Sequence, residues 1–122
     1  MLQEESLVKV ADNSGAKMIK VFRIPGGTRK HYARLGEIVI ASVKIAEPRK
    51  QVKKKDIVKC LVVRTAAPTR RLDGSYIRFD ENAVVLINDK KEPRATRIFG
   101  PIPREIKEKG FDKVFSLAEE IV

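Results

Sequence analysis

The chain contains two stretches in which apolar residues alternate, EIVIASVKI at residues 37–45 and IVKCLVV at residues 57–63. In an extended strand, Val39, Ala41 and Val43 share one face with Ile45, while the intervening isoleucines and serine share the other. Both faces are largely apolar, so both are expected to be buried against other parts of the protein. This pattern favours strands of a small closed β-barrel whose outer surface is partly covered.

Similar alternation and β-branched residues predict further strands along the chain. Six strands are predicted in all, at residues 7–10, 16–24, 37–45, 57–65, 75–79 and 83–88. Turn-forming residues separate them and predict mostly short hairpin connections, at DNSG (12–15), PGG (25–27), KKD (54–56), DG (73–74) and ND (88–89). The fold class is therefore mainly β.

After Pro101 the pattern changes to helix signals. Pro103 marks a helix start and Gly110 a helix end, and Asp112 is placed to cap a second helix that runs to Leu117. Neither helix is long enough to be stable alone in water, so both are expected to dock on the barrel. The last acidic residues, Glu119 and Glu120, are interpreted as a solvated tail.

The length of 122 residues fits one domain, which we divide into a barrel with basic loops (1–100) and a helical part (101–122). Hydrophobic residues make up 43% of the chain, which excludes disorder of the whole. The net charge is +10, and it is unevenly placed: residues 1–78 hold 18 basic and 7 acidic side chains, the remainder 8 and 9. Such an excess indicates a polyanion as the partner.

Several function classes are disfavoured by what the chain lacks. Cys60 and His31 are the only residues of their types, which excludes an internal disulfide and a Cys/His zinc site. A cation site built from acidic residues alone stays open. No paired nucleophile and base is apparent, so we predict neither an enzyme nor a cofactor. Without an apolar membrane span or a signal sequence, we expect a cytoplasmic protein that contacts no membrane.

Basic residues concentrate in three places. The loop at residues 26–34 combines two glycines with basic side chains, and residues 48–55 hold five basic residues in eight. A third set of arginines flanks the turn at Asp73 and Gly74. Glycine lets a backbone approach phosphate closely, and the arginine fork binds phosphate with two donors. The alternative, that these loops are only solvated, is about equally good for residues 48–55.

The seven aromatic residues argue against a platform for single-stranded nucleic acid. No predicted strand carries two of them on one face, whereas such a platform needs neighbouring exposed rings. We therefore interpret most of them as core residues.

The sequence resembles large-subunit ribosomal protein fourteen of bacteria and organelles over nearly its whole length. The resemblance rests on VADNSGA (10–16), VKK (52–54), VVRT (62–65), RLDGSYIRFD (71–80), EPR (92–94), TRIFGP (96–101) and SLA (116–118). The chain departs from the family pattern at Lys55 and Ala95, where glycine is usual. If those positions require a positive φ, the local turns are strained.

The resemblance implies a small five-stranded closed β-barrel with a hairpin extension and two short C-terminal helices. It also implies a structural role on the ribosome, in the cytoplasm or in an organelle that encodes it. The expected partners are large-subunit rRNA, small-subunit rRNA at intersubunit bridges, and large-subunit proteins nineteen and three. In many bacteria a ribosome silencing factor also binds the exposed face of this family.

Together, the basic loops and the resemblance predict two sets of contact residues. Those expected to bind rRNA are Asn13, Lys17, Arg23, Arg29, Lys30, His31, Arg34, Arg49, Lys53, Lys54, Arg64, Arg70, Arg71, Arg78 and Arg94. Those expected on the intersubunit face that binds a protein partner are Thr96, Arg97, Lys113 and Ser116. The rival interpretation is a free-standing nucleic-acid-binding barrel, either an RNA chaperone or a protein like an initiation factor.

Overall fold

The structure is a computed structural model that describes residues 2–27 and 30–122. Its strands are β1 (Leu2–Gln3), β2 (Leu7–Val10), β3 (Ala16–Arg23), β4 (Tyr32–Ala33), β5 (Ile38–Ala46), β6 (Ile57–Arg64), β7 (Thr69–Arg70), β8 (Tyr76–Ile77), β9 (Ala83–Ile87), β10 (Pro101–Ile102) and β11 (Glu120–Ile121). Its helices are α1 (Glu105–Glu108) and α2 (Asp112–Ser116).

Five strands form a closed barrel in the order β2-β3-β5-β6-β9. Neighbours are antiparallel except for β2 and β9, which close the barrel as a parallel pair with Lys9 opposite Ala83. Strands β7 and β8 form a separate hairpin between β6 and β9. The prediction of a mainly β fold with a five-stranded barrel, a hairpin extension and two short helices is confirmed.

The barrel interior is filled by one face of each strand. Val39, Ala41 and Val43 of β5 are fully buried there, as the alternation predicts. The prediction that Ile45 shares this face is wrong, because Ile45 is half exposed. The pairing of β3 with β5 shifts register between Ile19 and Met18, which places an extra β5 residue before Ile45 and turns its side chain outward.

A second core covers the outside of the barrel along β6 and β9. The outward side chains Leu61 and Val85 pack with Ile102, Ile106 and Val114 from the segment after the barrel. This explains why β6 and β9 are apolar on both faces. Burial against the barrel stabilises α1 and α2, which are too short to form alone. Within the described ranges, no helix is long and apolar enough to cross a membrane.

Two details of the C-terminal part differ from the prediction. Asp112 is the first residue of α2 rather than its cap, because the cap position is held by Phe111, whose ring is buried in the second core. The end of the chain is not a free tail: β11 pairs in parallel with β10, with Pro101 opposite Glu120. The backbone groups of β11 are therefore hydrogen-bonded, which the acidic sequence does not predict.

The prediction that most aromatic residues belong to the core is also wrong. Of the seven, only Phe111 is buried, and four are at least 42% exposed: Phe22, Tyr32, Tyr76 and Phe99. Small aliphatic side chains fill the narrow barrel instead, because valine and alanine fit the space that opposing strands leave.

The two departures from the family pattern have different outcomes. Lys55 adopts φ +75°, a left-handed conformation that costs a residue with a Cβ about 1 kcal/mol or more. Ala95 is not among the residues with positive φ, so alanine is compatible with its turn.

Candidate nucleic-acid interface

The barrel topology sorts the predicted contact residues to its two ends. Because β3, β5, β6 and β9 are successively antiparallel, the connections between them alternate between the ends. The loops at 11–15, 47–56 and 88–97 share one end, which we call the lysine end. The connections at 24–37 and 65–82 share the other, which we call the hairpin end.

At the lysine end, the loop between β5 and β6 presents exposed cations. None of its basic side chains forms an ion pair with a described residue, and these are Arg49, Lys50, Lys53, Lys54 and Lys55. Asp56 accepts a hydrogen bond from the Lys53 backbone at 2.9 Å and so fixes the turn. The loop thus concentrates positive charge that the protein itself does not neutralise.

The loop at 11–15 packs against this basic loop. The Glu47 backbone N–H donates to the Gly15 carbonyl oxygen at 2.7 Å. A side chain at Gly15, which has φ +110°, would collide with Lys50. Lys17 lies 3.9 Å from a carboxylate oxygen of Glu47, an exposed and weak pair. Glycine is therefore required for the two loops to approach each other.

Asp12 anchors the same loop to the barrel, a role that the sequence analysis missed. Its buried carboxylate accepts hydrogen bonds from the Ser14 hydroxyl at 2.6 Å, the Ser14 N–H at 3.1 Å and the Leu86 N–H at 2.9 Å. Burial raises the pKa of Asp12, opposed by those hydrogen bonds and by the charge of Arg94. A turn-forming DNSG sequence gives no sign that its aspartate is buried.

Asn13 joins the loop to the segment that contains Thr96 and Arg97. Its side-chain oxygen accepts from both of their backbone N–H groups, at 3.1 and 3.0 Å, and its amide donates to the Thr96 hydroxyl at 2.9 Å. The structure therefore brings Asn13, predicted for rRNA, beside two residues predicted for a protein partner. The Asn13 side chain is engaged within the protein, whereas Arg97 is exposed and unpaired among the described residues.

The other two residues of the predicted protein-binding face lie on α2. Lys113 pairs with Glu92 at 2.9 Å, and the Ser116 hydroxyl donates to the Lys113 carbonyl oxygen at 2.8 Å. The segment from Glu92 to Arg97 connects this pair to Asn13. Lys113 thus contacts the segment that contains Thr96 and Arg97, while Ser116 lies three residues further along α2.

At the hairpin end, the loop between β3 and β5 is only partly free. Lys30 is paired with Glu37, which also accepts the Arg34 backbone N–H at 2.8 Å. Partial burial disfavours the Glu37 carboxylate, but these hydrogen bonds lower its pKa overall. His31, Arg34 and the neighbouring Arg23 are exposed. Arg29, also predicted to bind rRNA, lies outside the described residues.

Arg64, predicted to contact rRNA, is directed into the protein. Its side chain is 7% exposed and donates to the Phe99 carbonyl oxygen at 2.9 Å. Burial lowers the pKa of Arg64, and Glu81, 3.8 Å away, opposes this shift. Gly100 adopts φ +83°, and a Cβ there would overlap the guanidinium. Arg64 therefore holds the segment after the barrel in place.

Arg71 is likewise engaged within the protein. Its Nε lies 2.8 Å from a Glu105 carboxylate oxygen on α1, and one Nη donates to the main-chain oxygen of Val122 at 2.7 Å. Arg71 thus ties the hairpin to α1 and to the end of the chain. By contrast, Arg70 and Arg78 are exposed and form no ion pair with described residues.

The different positions of these arginines predict different effects on stability. Replacing Arg71 with Gln should lower the free energy of unfolding by about 1–3 kcal/mol, because a mostly buried Glu105 carboxylate loses its partner. Replacing Arg70 with Gln should change it by less than about 0.5 kcal/mol, because the side chain is exposed. Urea unfolding of both variants measures the difference. Equal losses would contradict the structural role assigned to Arg71.

A comparison with protein families gives a match over the whole chain. A family model described as ribosomal protein L14p/L23e matches the chain over residues 1–122. The match therefore includes the barrel, the hairpin and both C-terminal helices, and it covers all the loops described above.

Proposed function

The chain belongs to the ribosomal protein L14p/L23e family, whose members are structural proteins of the large ribosomal subunit, and from this premise we propose that it binds large-subunit rRNA through loops at both barrel ends. The observation that carries the proposal is the set of exposed cations that form no ion pair with any residue the structure describes. Phosphate oxygens can neutralise these cations without first breaking an ion pair inside the protein.

The proposed rRNA contacts are the predicted side chains that are exposed and unpaired within the described residues. They are Arg23, His31, Arg34, Arg49, Lys53, Lys54, Arg70, Arg78 and Arg94. Asn13, Lys30, Arg64 and Arg71 instead position the loops, since each is occupied by another part of the chain. Lys17 is only weakly paired and stays with the proposed contacts.

We further propose that the segment containing Thr96 and Arg97, together with the adjoining helices α1 and α2, forms the intersubunit face. Residues 105–122 carry three basic and five acidic side chains, which suits a protein neighbour better than bare phosphate. The family resemblance supports bridges to small-subunit rRNA and contacts with large-subunit proteins nineteen and three. It also supports cytoplasmic ribosomes as the location.

The proposed silencing-factor contact predicts a charge-reversal effect. Arg97→Glu should weaken binding of the silencing factor from the same organism at least tenfold, because it replaces the proposed positively charged anchor with a negative charge. Lys113→Glu should act similarly, since it also sets two carboxylates together at Glu92. A pull-down with purified proteins measures both, and Lys44→Glu, on the exposed side of β5, serves as the control. If Arg97→Glu retains the factor while rRNA binding falls, this face belongs to RNA.

Sucrose-gradient fractionation tests the proposed function directly. The chain should sediment with large subunits and remain there after a high-salt wash, because in the assembled subunit many contacts to folded rRNA must break together before the chain is released. Recovery of the chain mainly at the top of the gradient would favour the free-standing barrel instead.

A further inference from the structure

The hairpin of β7 and β8 presents an aromatic ring that the fold does not use. Tyr76 is 68% exposed and belongs to neither hydrophobic core. By contrast, Phe111 and Phe115 of the helical part lie beneath Lys91 and Lys107, with nitrogen-to-ring-centre distances of 5.7 and 5.4 Å. An exposed ring on a projecting hairpin is available to a partner.

The residues around Tyr76 indicate the chemistry of that partner. Arg70 lies directly opposite Tyr76 in the β7–β8 pair, so the two side chains share a face. Arg78 follows two residues later in the extended chain, which places it on the same side. It lines a cavity with Asp80 and Glu81 but forms no ion pair there within the described residues. The other tyrosine, Tyr32, lies opposite Gln3, and the cavity that it lines contains Lys30, which is already paired with Glu37.

The hairpin is held rigidly enough to present this ring in one position. The carboxylate of Asp73 accepts hydrogen bonds from the Ser75 hydroxyl at 2.6 Å and the Ser75 N–H at 2.9 Å, closing the turn. At its base, Arg71 connects the hairpin to Glu105 of α1. A fixed ring loses little conformational freedom when it binds, which favours stacking.

We propose that Tyr76 stacks on an unpaired nucleobase of rRNA while Arg70 and Arg78 bind the phosphates on either side of that nucleotide. This inference deepens the proposed function and rests on it. Bases inside an RNA helix have both faces covered by their neighbours, so the nucleotide lies in a loop, a bulge or a single-stranded junction. Two unneutralised arginines beside the ring favour RNA over an apolar protein pocket.

Affinity for a transcript of the organism's large-subunit rRNA tests the proposal. Tyr76→Ala should weaken binding about tenfold, whereas Tyr76→Phe should stay within about twofold because phenylalanine keeps the stacking ring. Neither change should alter the dependence of affinity on salt, since no charge is removed. Arg70→Gln should instead reduce that dependence, by close to one unit of slope. Thermal unfolding of Tyr76→Ala should match the wild type, since the ring is outside both cores.

Tyrosine fluorescence gives a second, independent readout. The chain has two tyrosines and no tryptophan, so Tyr76 is the sole emitter of this kind in a Tyr32→Phe variant. Single-stranded oligoadenylate of about twelve nucleotides should quench this emission. The same strand paired with oligouridylate should quench it less at equal phosphate concentration, because its bases are covered.

The outcomes separate this inference from the proposed function. Wild-type affinity for the transcript in Tyr76→Ala overturns the stacking while rRNA binding stands, and it would leave the ring to a protein partner. Equal quenching by the single strand and the duplex also overturns it. If wild-type protein shows no salt-dependent affinity for the transcript, the proposed function fails, and the stacking fails with it.

Discussion

Replacing Val62 with Asp is expected to unfold the barrel. Val62 is fully buried in the interior, opposite Val84 of β9, and the interior is lined there by aliphatic side chains. A carboxylate at this position would lose its hydration without gaining a partner, at a cost of several kcal/mol. A domain of this size has about 5–15 kcal/mol of stability in total, so the change removes much or all of it. Circular dichroism and urea unfolding would show the loss.

Ile57→Asp is the matched control on the same strand. Ile57 is 69% exposed on the outer surface, so the new carboxylate stays hydrated, and the loss should be below about 1 kcal/mol. If the two variants lose equal stability, the inner and outer faces of β6 are wrongly assigned.

The affinity of the chain for isolated fragments of large-subunit rRNA should fall steeply with salt. If about six phosphates are neutralised, the slope of log K against log salt is about −4 to −5, because each contact releases condensed counterions. Raising salt from 50 to 200 mM then weakens binding by roughly 250- to 1000-fold. Filter binding across this range measures the slope, and a nearly flat response would contradict binding through the basic loops.

The loop between β5 and β6 should supply a defined share of that slope. Replacing Arg49, Lys53 and Lys54 together with Gln should make it shallower by about two units, with no loss of stability, because their exposed side chains form no ion pairs with described residues. Replacing Lys9, Lys20 and Lys59 with Gln removes equal charge, but each of these already has an acidic neighbour. This control should change the slope less.

The barrel could be predicted from the sequence because strand alternation is a local property. Val39, Ala41 and Val43 show their common face through spacing alone, and the structure buries all three. The burial of the outer surface could also be predicted, because apolar residues on both faces of β6 must be buried on both sides. The position of Ile45 could not be predicted in this way, because the register shift depends on how β3 pairs with β5.

The separation of free from engaged arginines could not be predicted, because it depends on residues distant in the sequence. Arg70 and Arg71 are adjacent, yet one is exposed while the other contacts Glu105 and Val122. Nothing near them in the sequence distinguishes the two. The basic loops could be identified from the sequence. Which of their cations are free to bind a partner depends on how the C-terminal segment packs.

The residues with a positive φ could be predicted only in part from the sequence. Lys55 has a positive φ at a position where the family usually has glycine, and comparison with the family pattern identified it in advance. Arg49, at the other side of the same loop, also has a positive φ, of 67°, and no sequence signal indicated it. A basic side chain at such a position keeps a charge that glycine would not provide.

Closure of the barrel by β2 and β9 determines when the newly made chain can complete its fold. Translation delivers β2 many residues before its partner, since Lys9 pairs with Ala83, and such distant pairing is slow to form. Until residue 87 has been synthesised, the edges of β2 and β6 that pair with β9 remain open to other chains. A truncated product that lacks β9 therefore exposes unpaired strand edges, which favour aggregation.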